Sequence, residues 1–317
     1  MTKDQTFPSL RGNHGPDMHV LYRTELGRML CGDVKSWTGK LANAGFGKKV
    51  DLIFTSPPFP LVREKEYGNR HGEEFSLWLV DVFANLVPLL SPTGSLVVEM
   101  GNAWVRGRPA MSLVPLKTLI QIAESTGLDV CQQFIAHNPS RLPSPTEWVN
   151  RKRVRVKDSY THIWWFANAD NAKANNRNVL RPYSAAMRNL LRRQTFNAGK
   201  RPSSWSLSES GFLKDNGGSI PSSVITAPHT LNNDDYIAFC KKSNLKIHPA
   251  RIQREIPEFF IQFCTDPKDI VLDPFAGSNI VGEVAEKAGR RWLAIEIDPE
   301  YAIGSLGRFP RAKMEKR

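Results

Sequence analysis

Apolar and polar positions along the chain fall into two alternating patterns. Val50 to Thr55 is a short, nearly continuous apolar run, which predicts a strand buried on both faces of a parallel sheet. From Glu74 to Leu90 the apolar residues Phe75, Leu77, Trp78, Val82, Phe83, Leu86, Leu89 and Leu90 recur every three or four positions. That spacing predicts a helix, punctuated by Ser91-Pro92-Thr93-Gly94. Ser95 to Met100 reads as a second buried strand, Leu113 to Ser125 as a second helix ending before Gly127, and Leu128 to Ala136 as a third strand. Strand, helix, strand, helix, strand is the rhythm of a doubly wound α/β sheet.

Val154 to Phe166 carries the runs Val-Arg-Val and His-Ile-Trp-Trp-Phe around Lys157-Asp158-Ser159, which predicts a hairpin on the sheet's edge. From about Ala169 to Leu245 periodicity fades into a stretch rich in Asn, Ser, Gly, Pro and Arg, read as an inserted module with long loops. The α/β rhythm returns with a helix over Arg251 to Cys264, a strand over Asp269 to Leu272 and a turn over Asp273 to Asn279. A helix to about Lys287 and a strand over Trp292 to Ile297 follow. The expected organisation is one sheet interrupted by an insert, divided as 1–168, 169–245 and 246–317.

With 317 residues, 41% of them apolar and 23% charged, the chain can bury a full core and has a globular balance. No apolar run approaches the roughly 18 residues of a spanning helix. Met1 to Gln5 opens no signal-like segment, so the cytoplasm is the expected setting, with no membrane partner. Cys31, Cys131, Cys240 and Cys264 form no C-x-x-C pair, which argues against a zinc site and a disulfide framework; no metal is expected. The net charge of +12 is concentrated, because Arg141 to Trp205 holds fourteen Lys or Arg against three acids, Glu147, Asp158 and Asp170. A local excess of this kind points to an anionic partner. Arg151, Lys152, Arg153, Arg155 and Lys157 are candidate phosphate contacts, the odd-numbered ones falling on one face of the predicted strand. Arg181, Arg188, Arg192 and Arg193 in the insert could do the same or read guanine edges.

Two segments carry candidate chemistry. Thr55-Ser56-Pro57-Pro58-Phe59 follows the carboxyl end of a predicted strand, where ligands of open α/β sheets bind. Two prolines fix φ at about −65° and remove two backbone donors, leaving the Ser56 and Pro57 carbonyls as rigid acceptors. An amino group donates two hydrogen bonds, so the Ser56 hydroxyl and a proline-locked carbonyl can hold both, with Phe59 as a stacking face. The second segment, Asp273-Pro274-Phe275-Ala276-Gly277-Ser278-Asn279, joins a strand to a helix through small residues that let backbone approach a ligand. Glu296 lies 23 residues beyond Asp273 at the end of the next strand, placed to accept from ribose hydroxyls. Together they imply a nucleoside-containing cofactor, without the G-x-G-x-x-G of a dinucleotide site. His137, Asn138, Trp148, Trp164 and Trp165 are read as core or supporting residues.

Ser-Pro-Pro-Phe after one strand and Asp-Pro-Phe-Ala-Gly-Ser after another resemble the motifs of S-adenosylmethionine-dependent DNA amino-methyltransferases. Their order, with a basic insert between them, resembles the circularly permuted β group. The Ser-Pro-Pro-aromatic form resembles its cytosine-N4 members, whereas Asp-Pro-Pro-Tyr or Asn-Pro-Pro-Tyr marks adenine-N6 enzymes. Arg63 to Asn69, Leu142 to Asn150, Lys214 to Gly218 and His248 to Arg251 extend the resemblance over most of the chain. It implies a permuted Rossmann-like sheet with an inserted target-recognition region, S-adenosylmethionine as cofactor and double-stranded DNA as partner, in the setting of a restriction-modification system. It also implies that His248 and Pro249 flank the methionine end of the cofactor, that Asp33 of Gly32-Asp33 meets its adenine, and that Glu99 is an acid facing the active site. Thr55, Pro274, Phe275, Gly277, Ser278 and Asn279 belong to the implied cofactor set.

Two departures stand out. Many members read Gly-Ser-Gly-Thr where this chain has Gly277-Ser278-Asn279-Ile280, so Asn279 must itself supply the turn's conformation. Arg251-Ile252-Gln253-Arg254 stands where the family usually has a Phe-Pro pair. None of the cysteines follows a proline, as a carbon-methylating nucleophile generally does, so direct transfer to an exocyclic nitrogen of a flipped base is the expected chemistry. Adenine-N6 transfer and a DNA-binding protein with a decayed site are the alternatives, and one chain acting alone is the expected state.

Overall fold

The computed structural model describes residues 10, 18–59, 72–195, 199–200, 206–207, 210–228 and 234–315; Arg63 to Asn69 of the resemblance lie outside the described residues. The chain opens with β1 (His19–Arg23), β2 (Gly27–Cys31), α1 (Val34–Leu41), β3 (Val50–Thr55), α2 (Gly72–Leu86) and β4 (Leu90–Gly101). A two-stranded ribbon, β5 (Ala103–Trp104) and β6 (Met111–Ser112), leads to α3 (Val114–Thr126), β7 (Asp129–His137) and β8 (Tyr160–Ala167). Next come α4 (Ala185–Arg193), β9 (Gly199–Lys200), β10 (Ser206–Leu207), β11 (Val224–Thr226), α5 (Asp235–Lys242) and α6 (Glu255–Cys264). β12 (Ile270–Asp273), α7 (Ile280–Lys287), β13 (Arg291–Glu296), α8 (Pro299–Gly304) and β14 (Lys313–Met314) complete it. Two compact units result, Met1–Ala174 with Ser223–Arg317, and Asn175–Ser222.

The larger unit is built on a ten-stranded sheet of order β11-β7-β8-β4-β3-β12-β13-β2-β1-β14. From β4 to β2 the neighbours are parallel, and the N-terminal β2 lies against the C-terminal β13, the arrangement a permuted sheet requires. Strand residues alternate between two covered faces. Ile53 joins the cluster under α1, α2 and α3, while its neighbour Phe54 meets Phe260 of α6 on the other face at 5.8 Å. Burial on both sides is why β3 reads as an unbroken apolar run. Its one polar interior residue, Asp51, accepts from the backbone N–H of Ile270 at 2.9 Å and ties β3 to the start of β12.

Several expectations change. The predicted edge hairpin over Val154 to Phe166 is absent: Lys152 to Ser159 has no strand, and β8 sits inside the sheet, antiparallel to both β4 and β7. The valines that suggested a strand, Val154 and Val156, are 61% and 84% exposed, so their alternation has no face to bury. The shared strand face proposed for Arg151, Arg153, Arg155 and Lys157 therefore does not exist. Ser91 to Gly94 do not precede β4 but lie within it as an irregularity, where pairing with β3 shifts between Val50 opposite Leu90 and Leu52 opposite Ser95. The last helix before β12 starts at Glu255 rather than Arg251. The compact insert spans Asn175–Ser222, inside the 169–245 region drawn from sequence, because β11 and α5 belong to the larger unit.

Candidate functional site

The carboxyl ends of β2, β3, β4, β7, β12 and β13 converge on a cleft of about 440 Å³, within the usual size of small-molecule sites, roughly 300–1,000 Å³. At one end β13 delivers Glu296, whose carboxylate accepts from the N–H of Gly277 at 2.7 Å and of Asp298 at 2.9 Å. Burial pushes its pKa up to about 7 against the pull of those N–H groups. The Gly32 N–H donates to the Glu296 carbonyl at 2.9 Å, which sets Asp33 beside it although 263 positions separate the two. Asp33 also accepts from the Ser36 N–H at 3.1 Å and so caps α1. Phe75 and Trp78 of α2 and Phe275 make the apolar wall, with Trp78 and Phe275 ring centroids 5.6 Å apart.

Behind this wall the motif residues act as scaffold. Asp273 is buried and accepts from the Thr55 hydroxyl at 2.8 Å and the Phe275 N–H at 3.1 Å, which locks the two motif segments to each other. Burial pushes Asp273 up to about 7, with those two bonds opposing. Asn279 has φ 54° and ψ 43°, the left-handed conformation expected of it. Its side chain accepts from the Gly282 N–H at 3.1 Å to cap α7 and donates to the Tyr22 hydroxyl at 3.1 Å. Gly277, at φ 50°, lies so close to His248 that a Cβ would stand 3.0 Å from the imidazole ring. The carbonyl of Ser278 accepts from Arg308 at 2.6 Å. Arg308 is almost wholly buried and pairs with Asp234 at 3.0 Å and Glu283 at 2.8 Å.

The divergent segment joins the same network. Arg251 meets Asp234 at 3.5 Å and Arg254 meets Glu283 at 2.8 Å, so ion pairs anchor a stretch that the family more often holds with a Phe-Pro pair. Arg251, Ile252 and Gln253 line the cleft beside His248 and Ala250. Thr55, Pro249, Asp273, Gly277, Ser278 and Asn279 of the expected set do not reach the cleft wall. Asp33, Ser56, Pro57, Pro58, Phe59, Glu99, His248, Pro274, Phe275 and Glu296 do.

At the other end Ser56 hydrogen-bonds to Glu99, which is 5% exposed and also accepts from the Thr161 hydroxyl at 2.7 Å. Burial raises the Glu99 pKa, while the two hydroxyls and the charge of Arg141 pull it down. Phe59 is seated by Gly101, where a Cβ would come within 2.5 Å of the ring. His137 and Asn138, read as supporting residues, reach the wall, as do Arg141 and Thr161, which the sequence reading missed. A signal for Arg141 existed, since it opens the basic stretch directly before Leu142-Pro143-Ser144-Pro145; Thr161 offered none. The described residues hold no group of three or more His, Cys, Asp or Glu placed to bind a metal, and no helix long and apolar enough to cross a membrane.

Of the basic candidates, Arg151 and Lys152 are exposed and pair with Glu147 at 3.4 and 3.6 Å. Arg155 stacks on Trp104, its guanidinium carbon 3.4 Å from the ring centroid. Lys157 turns to the protein, donating to the carbonyls of Pro139 at 2.9 Å and Arg141 at 3.3 Å. In the smaller unit Arg181, Arg188, Arg192 and Arg193 are all exposed, the last three on α4, of which no residue is buried.

The family model described as DNA methylase, N6_N4_Mtase, matches residues 50–304. The chain is 40% identical over 291 residues, 91% of its length and 85% of the relative's, to the type II methyltransferase M.PvuII of Proteus hauseri. Among solved structures it is similar to the PvuII DNA methyltransferase (cytosine-N4-specific), with a TM-score of 0.72 at 33% identity over 92% of this chain and 90% of that one. It shares the fold of an M1.HpyAVI–SAM complex, with a TM-score of 0.53 at 18% identity over 89% and 98% of the two chains. With the family model spanning most of the chain and a relative 40% identical along nine-tenths of it, this protein belongs to the N6/N4 DNA methylase family.

Proposed function

We propose that the protein transfers a methyl group from S-adenosylmethionine to N4 of a cytosine flipped out of double-stranded DNA, as the modification arm of a restriction-modification system. The observation that carries this reading is the meeting of Ser56, hydrogen-bonded to Glu99, with Glu296 and Asp33 in one cleft. The 40% identity to M.PvuII and the likeness to the cytosine-N4-specific structure support the choice of base. Ser56, in place of the acid or amide typical of adenine-N6 enzymes, supports it independently.

The residues present suit the cofactor. Glu296 offers carboxylate oxygens to a ribose diol, Asp33 an acceptor to an adenine amino group, and Phe75, Trp78 and Phe275 an apolar face for the ring. The bare Gly277 lets the His248 ring pack against the turn, so the imidazole forms the cleft wall there. When bound, S-adenosylmethionine supplies an electrophilic sulfonium methyl.

The chain's own residues do the rest. The Pro57 carbonyl and the Ser56 hydroxyl oxygen accept the two amine protons, which draws the N4 lone pair out of conjugation and orients it. Ser56 can accept on its oxygen because its proton is directed at Glu99. As the N–C bond forms and the S–C bond breaks, N4 must release one proton, and the Ser56–Glu99 hydrogen bond gives it a path to a carboxylate whose pKa burial has raised. Phe59 stacks on the base, and Arg151, Lys152, Arg153 and Arg155, with Arg181, Arg188, Arg192 and Arg193, neutralise phosphates.

The test is mass spectrometry of nucleosides from plasmid DNA incubated with methyl-labelled S-adenosylmethionine and purified protein, beside Ser56→Ala. Labelled N4-methylcytosine is expected, reduced ~10²-fold or more in the variant, the usual loss when a polar contact to the reacting group is removed. Labelled N6-methyladenine would overturn the base assignment. Absence of label on DNA of varied sequence would overturn the enzyme reading.

A further inference from the structure

Beyond the cleft, β4 ends at its last pair in the sheet, Gly101 opposite Thr161 of β8. Two residues past Glu99, at Gly101, the chain leaves the sheet and folds back as the ribbon of β5 and β6, with Ala103 opposite Ser112 and Trp104 opposite Met111. The tip is a tight turn closed by the Val105 N–H donating to the Ala110 carbonyl at 3.0 Å and the Arg108 N–H to the Val105 carbonyl at 3.2 Å, with Gly107 at φ 73°. Arg106 and Arg108 flank that glycine and are exposed. Residues 102–112 contain no Asp or Glu, and neither arginine has a carboxylate partner among the described residues. Solvated surface arginines more often sit among acids.

The base of the ribbon is pinned to the basic loop that follows β7. Asn102 donates to the Asp158 carboxylate at 2.9 Å and its carbonyl oxygen meets the buried His162 ring at 3.1 Å. His162 in turn contacts the Gln133 side chain at 3.1 Å. Trp104 carries the Arg155 guanidinium on its face, and one nitrogen of Arg155 is buried with no hydrogen-bond partner. Two basic segments more than forty residues apart are thus fixed as one surface, growing from the strand that presents Glu99 and seats Phe59. A preordered turn binds without the entropy of ordering a loop.

We propose that the ribbon 102–112 is a DNA-contacting finger, with Arg106 and Arg108 holding backbone phosphates beside the flipped nucleotide. The proposal rests on the DNA methyltransferase reading above. It assigns these arginines to positioning rather than to sequence readout, since phosphate contacts fix register and carry no sequence information.

The test is duplex binding by fluorescence anisotropy across a salt series, comparing the wild type with R106A/R108A and R106K/R108K. Each phosphate contact contributes about 0.9 to the slope of log affinity against log salt. The Ala pair is expected to lower that slope by about 1.8 and to weaken binding at low salt, while the Lys pair, which keeps the charge, retains the slope. Cofactor affinity by calorimetry reports folding, and R106Q/R108Q replaces the Ala pair should that pair misfold. An unchanged slope in the neutral variants, or an altered sequence preference with the slope intact, would overturn the finger while wild-type methyl transfer left the parent reading standing. A wild type that neither binds nor methylates DNA would overturn both.

Discussion

At the scale of single residues, Asn279 shows how a departure from a family pattern can be accommodated. A left-handed backbone costs most L-residues about 1–2 kcal/mol, and Asn tolerates it because its short amide bonds locally. Here that amide caps α7 at the Gly282 N–H and donates to the buried Tyr22 hydroxyl. Glycine would keep the conformation and lose both bonds, whereas alanine would lose the bonds and add backbone strain. Asn279→Gly is expected to cost about 1 kcal/mol and Asn279→Ala about 2–3 kcal/mol. Urea denaturation of the two variants measures the difference; equal losses would mean that the turn does not need Asn for its φ. The same residue explains why its helper was hidden in the sequence: Tyr22 lies 257 positions away, and nothing local announces it.

Elements were legible where their reasons are local. β3 has the expected bounds because a strand buried on both faces shows as an unbroken apolar run, and α3 stops where Gly127 takes φ 68°. β8 was misplaced because pairing partners are set by distant chain. Its neighbours β4 and β7 both precede it, and an antiparallel strand wedged between two parallel ones looks, residue by residue, like half of a hairpin. The site divides in the same way. Ser56 to Phe59 and Asp273 to Asn279 are contiguous at strand ends, while Arg141, Thr161 and the α2 pair Phe75 and Trp78 arrive from three separate parts of the chain. Gly101, the last residue of β4, gives this scale its test. A Cβ there would collide with Phe59 at 2.5 Å, so Gly101→Ala should push the ring off the cleft wall. We expect kcat for methyl transfer to fall about tenfold, with cofactor affinity near wild type, since stacking on an aromatic is worth about 1–3 kcal/mol per base. Steady-state kinetics and calorimetry separate the two, and an unchanged kcat would show that Phe59 does not hold the base.

For the molecule as a whole, the acids buried in and behind the cleft place opposite demands on stability. Glu283 is buried, which works against its charge, yet Arg254, Lys287 and Arg308 hold its pKa below the ordinary range. Its contribution is present above the unfolded value and is lost as pH falls through the folded one. Asp273 and Glu296 behave oppositely, because burial pushes both up to about 7. The folded protein then binds their protons more tightly than the unfolded chain, so stability is full below about pH 4 and drains away as pH rises towards 7. The cofactor-free protein should therefore be most stable on the acid side of neutrality, at about pH 5. Asp273→Asn separates this from a general charge effect. The amide oxygen can keep the bonds from the Thr55 hydroxyl and the Phe275 N–H while the buried charge is gone. Urea denaturation from pH 5 to 8 should show the wild type losing stability, on the order of a few kcal/mol, and the variant losing distinctly less. Parallel curves would mean that Asp273 is ionised in the folded protein throughout, and that the lock between the two motif segments is an anion held by two donors rather than a shared proton.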